Sequence, residues 1–512
     1  MIDTIRIIGA GAMGRGIAQT AIAAGITVEL TDTSEQAVTD AVDFVTAMMR
    51  RSVAKGARTT EDADAALGRL RTGMRPKDAT GTVDLVIEAI VERLDVKQQL
   101  FVELEKAAPK ALLASNTSSI PISSIAAVLE HPENVIGLHF FNPVPLMKLV
   151  EIIPGLRTDP KVIEAGRDFT TRLGHTPVLA KDTPGFLVNH LGRALLTEAL
   201  TLLSEQAASA ADIDRIARDV LGLKMGPFEL MDLTGLDVSY PVMTNVSAGF
   251  YGDPRLRPSP LAASRVTAKL LGRKTSAGFY TYLEGRQQIP VEASVEARAD
   301  AITVHVHENT ALADILREAG VQVRETASPD AVTVVTPLGQ PAHRAAIAAG
   351  LDPSRTIGID PLSVGTDRIV LLVPPVLDVG LGRSAAQAIA SVGPSVTITS
   401  DGPAPVAQRI LAAVVNLGSA LAEHAIGSPA DIDLGARLGL GYPAGPLELG
   451  DRHSPTTIVS ILDGLLRYTG DPRYRASGWL RARAELGMSL TDAGTSPHDL
   501  SGPASSGTMK RK

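Results

Sequence analysis

Between Gly137 and Ile153 the chain reads GLHFFNPVPLMKLVEII. His139 and Glu151 stand in an otherwise apolar stretch, with Lys148 and two prolines between them. A strand buried on both faces favours unbroken Val, Ile and Leu. A titratable side chain inside one costs stability unless it has a partner. Two readings follow: His139 is a satisfied core residue, or it is a proton-transfer group near working pH, its ring held in one tautomer by Glu151. The elements that must position the pair decide between them.

The chain opens with such elements. TIRIIGAGAMGRGIA reads as a strand, a glycine turn and a helix, with Gly9, Gly11 and Gly14 forming G-x-G-x-x-G. The first glycine permits a tight turn, and the second lets backbone approach a pyrophosphate. The third lets the helix pack against the sheet with its N-terminal amides facing the phosphates. The helix is predicted to end near Ala24, before Gly25 and the strand ITVEL. Asp32 follows, 23 residues after Gly9, where a ribose-binding acid belongs. A carboxylate there repels a 2′-phosphate, and no Arg stands in Thr33-Ser34-Glu35, so NAD is favoured over NADP.

The alternation continues through strands at 83–90, 111–115, 135–141, 149–153 and 176–180, with a helix from about Leu94 to Ala107. Such a pattern predicts a mostly parallel sheet covered on both faces. Ligands in such sheets sit beyond the carboxyl ends of the strands. Asp32, Glu88, Ser118 and His139 all fall at or just past such ends, which favours the chemical reading of His139.

From Gly185 the pattern turns helical. PGFLVNHLGRALLTEALTLLSEQ is predicted to be one long helix, capped by Asp182 or Thr183. ADIDRIARDVLGLKMGPFELMD (211–232) recurs as ADIDLGARLGLGYPAGPLELGD (430–451) at an offset of 219, extending back without gaps to 182–189 over 401–408. This indicates duplication. Between the copies, 290–400 reads as a smaller α/β domain without a glycine turn. His305 and His307 alternate on one strand there, and an exposed strand face is expected rather than a metal site. The tail, rich in Ser, Gly and Pro, is expected to be disordered.

Composition narrows the class. The 512 residues carry 45% apolar side chains, enough for several cores, and a net charge of -7, which argues against general nucleic-acid binding. The absence of cysteine excludes disulfides, thiolate metal sites and a Cys nucleophile. No apolar run approaches a membrane span, and the start MIDTIRIIGAG lies on a strand. A cytoplasmic, multidomain protein is expected.

The motifs together resemble the 3-hydroxyacyl-CoA dehydrogenase family. GAGAMGRGIA, VIEAIVERLDVKQQLF, ASNTSSI, GLHFFNPVPLMKLVEII, KDTPGFLVN, MGPFELMDLTGLD and GRKTSAGFY span residues 5 to 282 in family order. The duplicated module is similar to the long bacterial members of 3-hydroxybutyryl-CoA or 3-hydroxyadipyl-CoA dehydrogenase type. The fused crotonase domain of the large multifunctional members is not expected.

The implied architecture is an α/β Rossmann-like NAD-binding domain (1–182) and an all-α C-terminal domain (183–284). A reduced Rossmann-like α/β domain (290–400), a second all-α domain (401–494) and the tail (495–512) follow.

The implied chemistry is NAD-dependent oxidation of an (S)-3-hydroxyacyl-CoA in fatty-acid or phenylacetate catabolism. His139 takes the hydroxyl proton and Glu151 fixes its tautomer. Ser118 contacts the hydroxyl oxygen and the cofactor, and Asn189 donates to substrate oxygens. The resemblance places NAD on Gly9, Ala10, Gly11, Ala12, Met13, Gly14 and Asp32, with Glu92, Lys97, Ser118, Asn142 and Lys274 around it. Coenzyme A needs cations for its phosphates. RRSVAKGAR offers Arg51 and Lys55 one helical turn apart, and Arg58 three residues on. Arg193 is one of several arginines that could meet a terminal carboxylate. Gln408 stands at Asn189's place in the second copy, so one active site per chain is expected, with homo-oligomers formed through the helical domains. The competing readings are a family member acting on a non-CoA alcohol such as L-gulonate, and a catalytically silent NAD-binding scaffold.

Overall fold

The computed structural model describes residues 2–73, 75, 78, 83–497 and 500. Most of the tail expected to be disordered lies outside the described residues. The first sheet is built from β1 (Thr4–Ile8), β2 (Thr27–Thr31), β3 (Leu70–Arg71), β4 (Leu85–Glu88), β5 (Leu112–Ser115), β6 (Val135–Phe140), β7 (Leu149–Pro154) and β8 (Thr176–Leu179). Their order is β3-β2-β1-β4-β5-β6-β7-β8. Every neighbouring pair is parallel except β6 and β7. β4 and β6 are buried along their whole length, as both faces carry helices. These are α1 (Ala12–Ala23), α2 (Glu35–Ala54), α3 (Thr60–Leu67), α4 (Leu94–Ala107), α5 (Ile122–Ala126) and α6 (Pro160–Arg172).

Side-chain alternation sends β6 and β7 into two different cores. Ile136, Leu138 and Phe140, with Val150 and Ile152, join the core under α1, α2 and α6. Leu149 and Ile153 join the opposite core. With a period of two, His139 and Glu151 point to that opposite side. That core also contains Phe101, Leu187, Leu191, Ile213, Leu411 and Leu480, so it fuses the sheet to both helical modules.

The predicted long helix is instead two: α7 (Val188–Leu191) and α8 (Arg193–Ser204), parted by Gly192. Pro184 and Gly185 lie in a turn before α7, where Gly185 and Phe186 take positive φ of 76° and 47°. Asp182 does not cap α7. Its carboxylate accepts the Ile122 and Ser123 N–H groups at 2.7 and 2.8 Å and caps α5. Further helices follow at Ala210–Asp219, Pro227–Thr234, Leu236–Gly249 and Pro260–Thr267.

Residues 303–400 form a six-stranded sheet. Strand Thr356–Ile359 pairs antiparallel with Arg368–Val373, as β6 does with β7. Asp401 caps helix Ala342–Ala348 as Asp182 caps α5. The duplication therefore reaches back into the middle domain, beyond the repeat visible in the sequence. His305 is 7% exposed, its ring 3.3 Å from the Arg324 carbonyl, so the expected exposed face is a buried one at this position. The second helical module comprises Val406–Glu423, Pro429–Gly439, Pro446–Arg452, Pro455–Thr469 and Gly478–Leu486. It is tied to α8 by buried Arg409, which bonds Glu198 at 2.7 Å, the Tyr474 hydroxyl at 2.8 Å, and Glu205. Among the described residues, no helix is long and apolar enough to cross a membrane.

Candidate active site

The antiparallel register sets His139 directly opposite Glu151. Nδ1 of His139 lies 2.6 Å from Oε2 of Glu151. The Glu151 carboxylate is fully buried and His139 is 6% exposed, between the rings of Phe141 and Phe186 at 4.5 and 5.9 Å. Oε1 of Glu151 accepts the Leu187 and Val188 N–H groups at 2.9 and 2.8 Å. Free amides of a helix's first turn suit a carboxylate, so Glu151 is pinned by the start of α7 while its other oxygen faces the imidazole. If the ring is neutral, an accepting carboxylate puts its proton on Nδ1 and leaves the Nε2 lone pair free. The turn that brings α7 to Glu151 was not legible in the sequence, although KDTPGF carries the glycine that makes it.

Asn189 follows Val188 on α7 and is half-buried. It adjoins the two amides that hold Glu151, and its own carbonyl accepts Arg193 Nε at 2.8 Å. The second module buttresses the same segment. A Cβ on Gly439 would stand 2.8 Å from Val188, and one on Gly435 3.3 Å from Leu187.

Glu92 precedes α4, and its Oε1 gathers the loop after β5. It accepts Thr117 Oγ1 at 2.7 Å, the Ser118 and Ser119 N–H groups at 2.9 and 3.0 Å, and Ser119 Oγ at 2.9 Å. Burial pushes the Glu92 carboxyl up, but hydrogen bonds from Thr117, Ser119 and Ser118 with the nearby Lys97 outweigh it, so it titrates below its usual range. Lys97 is 1% exposed, between Glu88 at 2.5 Å and Glu92 at 3.3 Å. Glu88 also accepts Ser115 Oγ at 2.7 Å. This ion cluster fixes the Ser118 loop one strand away from His139.

The glycine turn fits a dinucleotide. Gly9 has φ of 107°, and a Cβ on Gly14 would meet the Gly9 carbonyl at 1.7 Å, so both are required by the fold itself. Gly11 differs: among the described residues a Cβ there meets nothing within 4 Å, and no side chain caps α1. The space before the α1 amides is open, as a bound pyrophosphate requires. Asp32 lies at the end of β2, where it accepts the Ala10 N–H at 2.8 Å. Asn142 is exposed just past β6. Lys274 lies in the helical domain and pairs with Asp237 at 2.5 Å.

Arg51 is in the last turn of α2, but that helix ends at Ala54 and Gly56 turns the chain with φ of 69°. Lys55 and Arg58 therefore leave the helix rather than continuing Arg51's face. Arg51 and Lys55 are exposed. Arg58 lines a cavity of about 360 Å³ with Lys148 and Arg172.

The second copy lacks this chemistry. Asp360 and Val370 take the places of His139 and Glu151, joined only by the Asp360 N–H to the Val370 carbonyl at 3.0 Å. Gln408 closes the copy on itself, donating to Asp360 Oδ1 and the Pro337 carbonyl at 3.0 Å each and accepting the Gly339 N–H at 2.9 Å. Burial pushes the Asp360 carboxyl up to about 6.

Comparison with known proteins agrees with the geometry. Residues 4–183 match the 3-hydroxyacyl-CoA dehydrogenase NAD-binding domain, and residues 185–282 and 406–495 match the C-terminal domain of that family. The chain is 35% identical over 491 residues to the 3-hydroxyadipyl-CoA dehydrogenase of Escherichia coli K12, covering 95% of this chain and 98% of that one. It is 41% identical to the mitochondrial hydroxyacyl-coenzyme A dehydrogenase of Rattus norvegicus, over 55% of this chain and 92% of that one. The crystal structure of 3-hydroxybutyryl-CoA dehydrogenase from Escherichia coli K12 superposes with a TM-score of 0.86 at 34% identity, covering 95% of this chain and 99% of that one. With its NAD-binding domain and both helical modules matched, the chain belongs to the 3-hydroxyacyl-CoA dehydrogenase family.

Proposed function

We propose that the protein oxidises (S)-3-hydroxyacyl-CoA thioesters to 3-oxoacyl-CoA, and that His139 is the general base. The observation that carries this reading is the bonding of Glu151, one oxygen on the imidazole and the other on two α7 amides. Nδ1–H donates to Glu151, and Nε2 takes the proton of the 3-hydroxyl. Glu151 then stabilises the imidazolium without being protonated itself. NAD, bound at the glycine turn, supplies the hydride acceptor. Ser118 and the Asn189 side-chain amide orient the hydroxyl and thioester oxygens. Because Glu151 belongs to the sheet and Asn189 to the helical layer, the site is completed only when the two meet, which excludes water. Arg51 and Lys55 serve the coenzyme A phosphates from the open rim. Glu92, Lys97, Asn142 and Lys274 serve the cofactor side, the first two by holding the Ser118 loop.

The favoured substrates are 3-hydroxybutyryl-CoA and 3-hydroxyadipyl-CoA, supported by the names of the full-length relative and of the superposed structure. The test is NADH oxidation by the pure protein with acetoacetyl-CoA and with 3-oxoadipyl-CoA, beside NADPH and beside L-gulonate oxidation with NAD. Turnover of a thioester with NADH and not NADPH is expected. Turnover of L-gulonate alone, or NADH binding without turnover, would overturn the reading.

A further inference from the structure

Arg193, the first residue of α8, is 7% exposed and has no carboxylate partner among the described residues. Its hydrogen bonds go to two neutral carbonyls, Asn189 at 2.8 Å and Ser239 at 3.5 Å. Burial of a cation without a counter-ion costs several kcal/mol; here it pushes the guanidinium down to about 10. Tyr442, brought by the second helical module, is 6% exposed, and its hydroxyl has no hydrogen-bond partner among the described residues. The phenol and the guanidinium lie within electrostatic reach of each other. Leu440, two residues before Tyr442, packs at Gly192, immediately before Arg193. A buried cation and a buried unpaired hydroxyl are together what a carboxylate would satisfy.

The pair is not a general requirement of the repeat. At the offset of 219 the counterparts of Arg193 and Tyr442 are Ala412 and Leu223, so each is special to its own copy. Arg193 follows Asn189 by four residues, about 6 Å of helix rise. That separation is about the reach of the few methylenes between the reacting carbons and the distal carboxylate of a dicarboxylic acyl chain.

We propose that Arg193 and Tyr442 form the subsite for the distal carboxylate of a dicarboxylic 3-hydroxyacyl thioester. The inference rests on the reaction proposed above and deepens it. It also gives the second module a part in the site: it supplies one of the two groups that recognise the substrate's far end.

The test is the ratio of kcat/KM for (S)-3-hydroxyadipyl-CoA to that for (S)-3-hydroxybutyryl-CoA, measured in wild type, R193M, R193K and Y442F. Loss of a charge-assisted bond predicts a ratio lowered about 10- to 100-fold in R193M. Partial recovery is expected in R193K, and a fall of about 5-fold in Y442F, carried mainly by KM. A structural role would lower both substrates together and leave the ratio unchanged, which would overturn the subsite. If R193M does not fold, Y442F decides, because the hydroxyl it removes has no hydrogen-bond partner among the described residues. Wild type that turns over the butyryl thioester, with a ratio unmoved in the variants, sinks the subsite but not the dehydrogenase reading. Wild type that turns over neither thioester sinks both.

Discussion

Replacing Glu151 with Gln isolates what the carboxylate does for His139. Glu151 receives three donors: His139 Nδ1–H and the Leu187 and Val188 amides. Gln keeps the shape but has one accepting oxygen and one donating NH2. If the NH2 faced the two amides, two buried donors would be left without an acceptor, at about 1–3 kcal/mol each. The oxygen therefore stays on the amides and the NH2 turns to Nδ1. Nδ1 must then accept, the proton moves to Nε2, and the base loses the lone pair it needs. The structural cost is small, since every group keeps a partner, and a loss of at most about 1–2 kcal/mol in unfolding free energy is expected. The chemical cost is a wrong tautomer together with loss of the charge that stabilises the imidazolium. An equivalent change in a Ser-His-Asp triad lowers kcat about 10⁴-fold, and about 10³- to 10⁴-fold is expected here, with NADH affinity unchanged. Steady-state NADH oxidation with acetoacetyl-CoA measures the rate, and ¹⁵N NMR of the imidazole reads the tautomer. A variant within about tenfold of wild type, or one that keeps the proton on Nδ1, would refute the reasoning.

Gly11→Ala is expected to leave the thermal stability of the unliganded protein unchanged, within about 0.5 kcal/mol, because the new methyl enters open space. NADH affinity should fall at least about tenfold in a fluorescence titration, and equal affinity would remove the pyrophosphate from this turn. Lys97→Met leaves Glu88 and Glu92 without the cation between them and should destabilise the fold by about 3–5 kcal/mol in urea; a loss below about 1 kcal/mol would show that the ion cluster does not organise the Ser118 loop. Asp360 titrates near 6 when folded against 3.8 ordinarily, so the native state holds its proton longer than the unfolded one. Stability through this group is present below about pH 4, is lost as pH rises through 6, and amounts to about 3 kcal/mol. Asp360→Asn should therefore gain on wild type by up to that amount between about pH 4 and 7, and a pH-independent difference would contradict it.

Much of the molecule is legible in its sequence for definite reasons. The glycine spacing, the unbroken apolar strands and the Asp32 offset each express a local rule, and the strands read from periodicity are found within a few residues of their expected places, while the two-residue β3 at the sheet edge leaves no such signal. His139 and Glu151 are legible as a pair because two prolines interrupt the run between them, and an interrupted run must turn back. What was hidden depended on contacts between distant segments. Asp182 reads as a cap for the helix that follows it, yet it caps α5, about 60 residues upstream, since nothing local separates one free helix start from another. The anchoring of Glu151 by the Leu187 and Val188 amides leaves no mark in side-chain type. The repeat was visible from 182 onward but not in the middle domain, where the antiparallel strand pair was kept and its chemistry replaced by Asp360 and Val370. Lys97 looks like a surface lysine until the fold buries it against Glu88.

The most direct test of the central claim is single-turnover oxidation of bound NADH by acetoacetyl-CoA, in wild type and in His139→Ala. The account predicts rapid oxidation in wild type and a loss of at least about 10²- to 10⁴-fold in the variant, with NADH and thioester binding retained. Oxidation at a near wild-type rate without the imidazole would contradict it, because the base would then lie elsewhere.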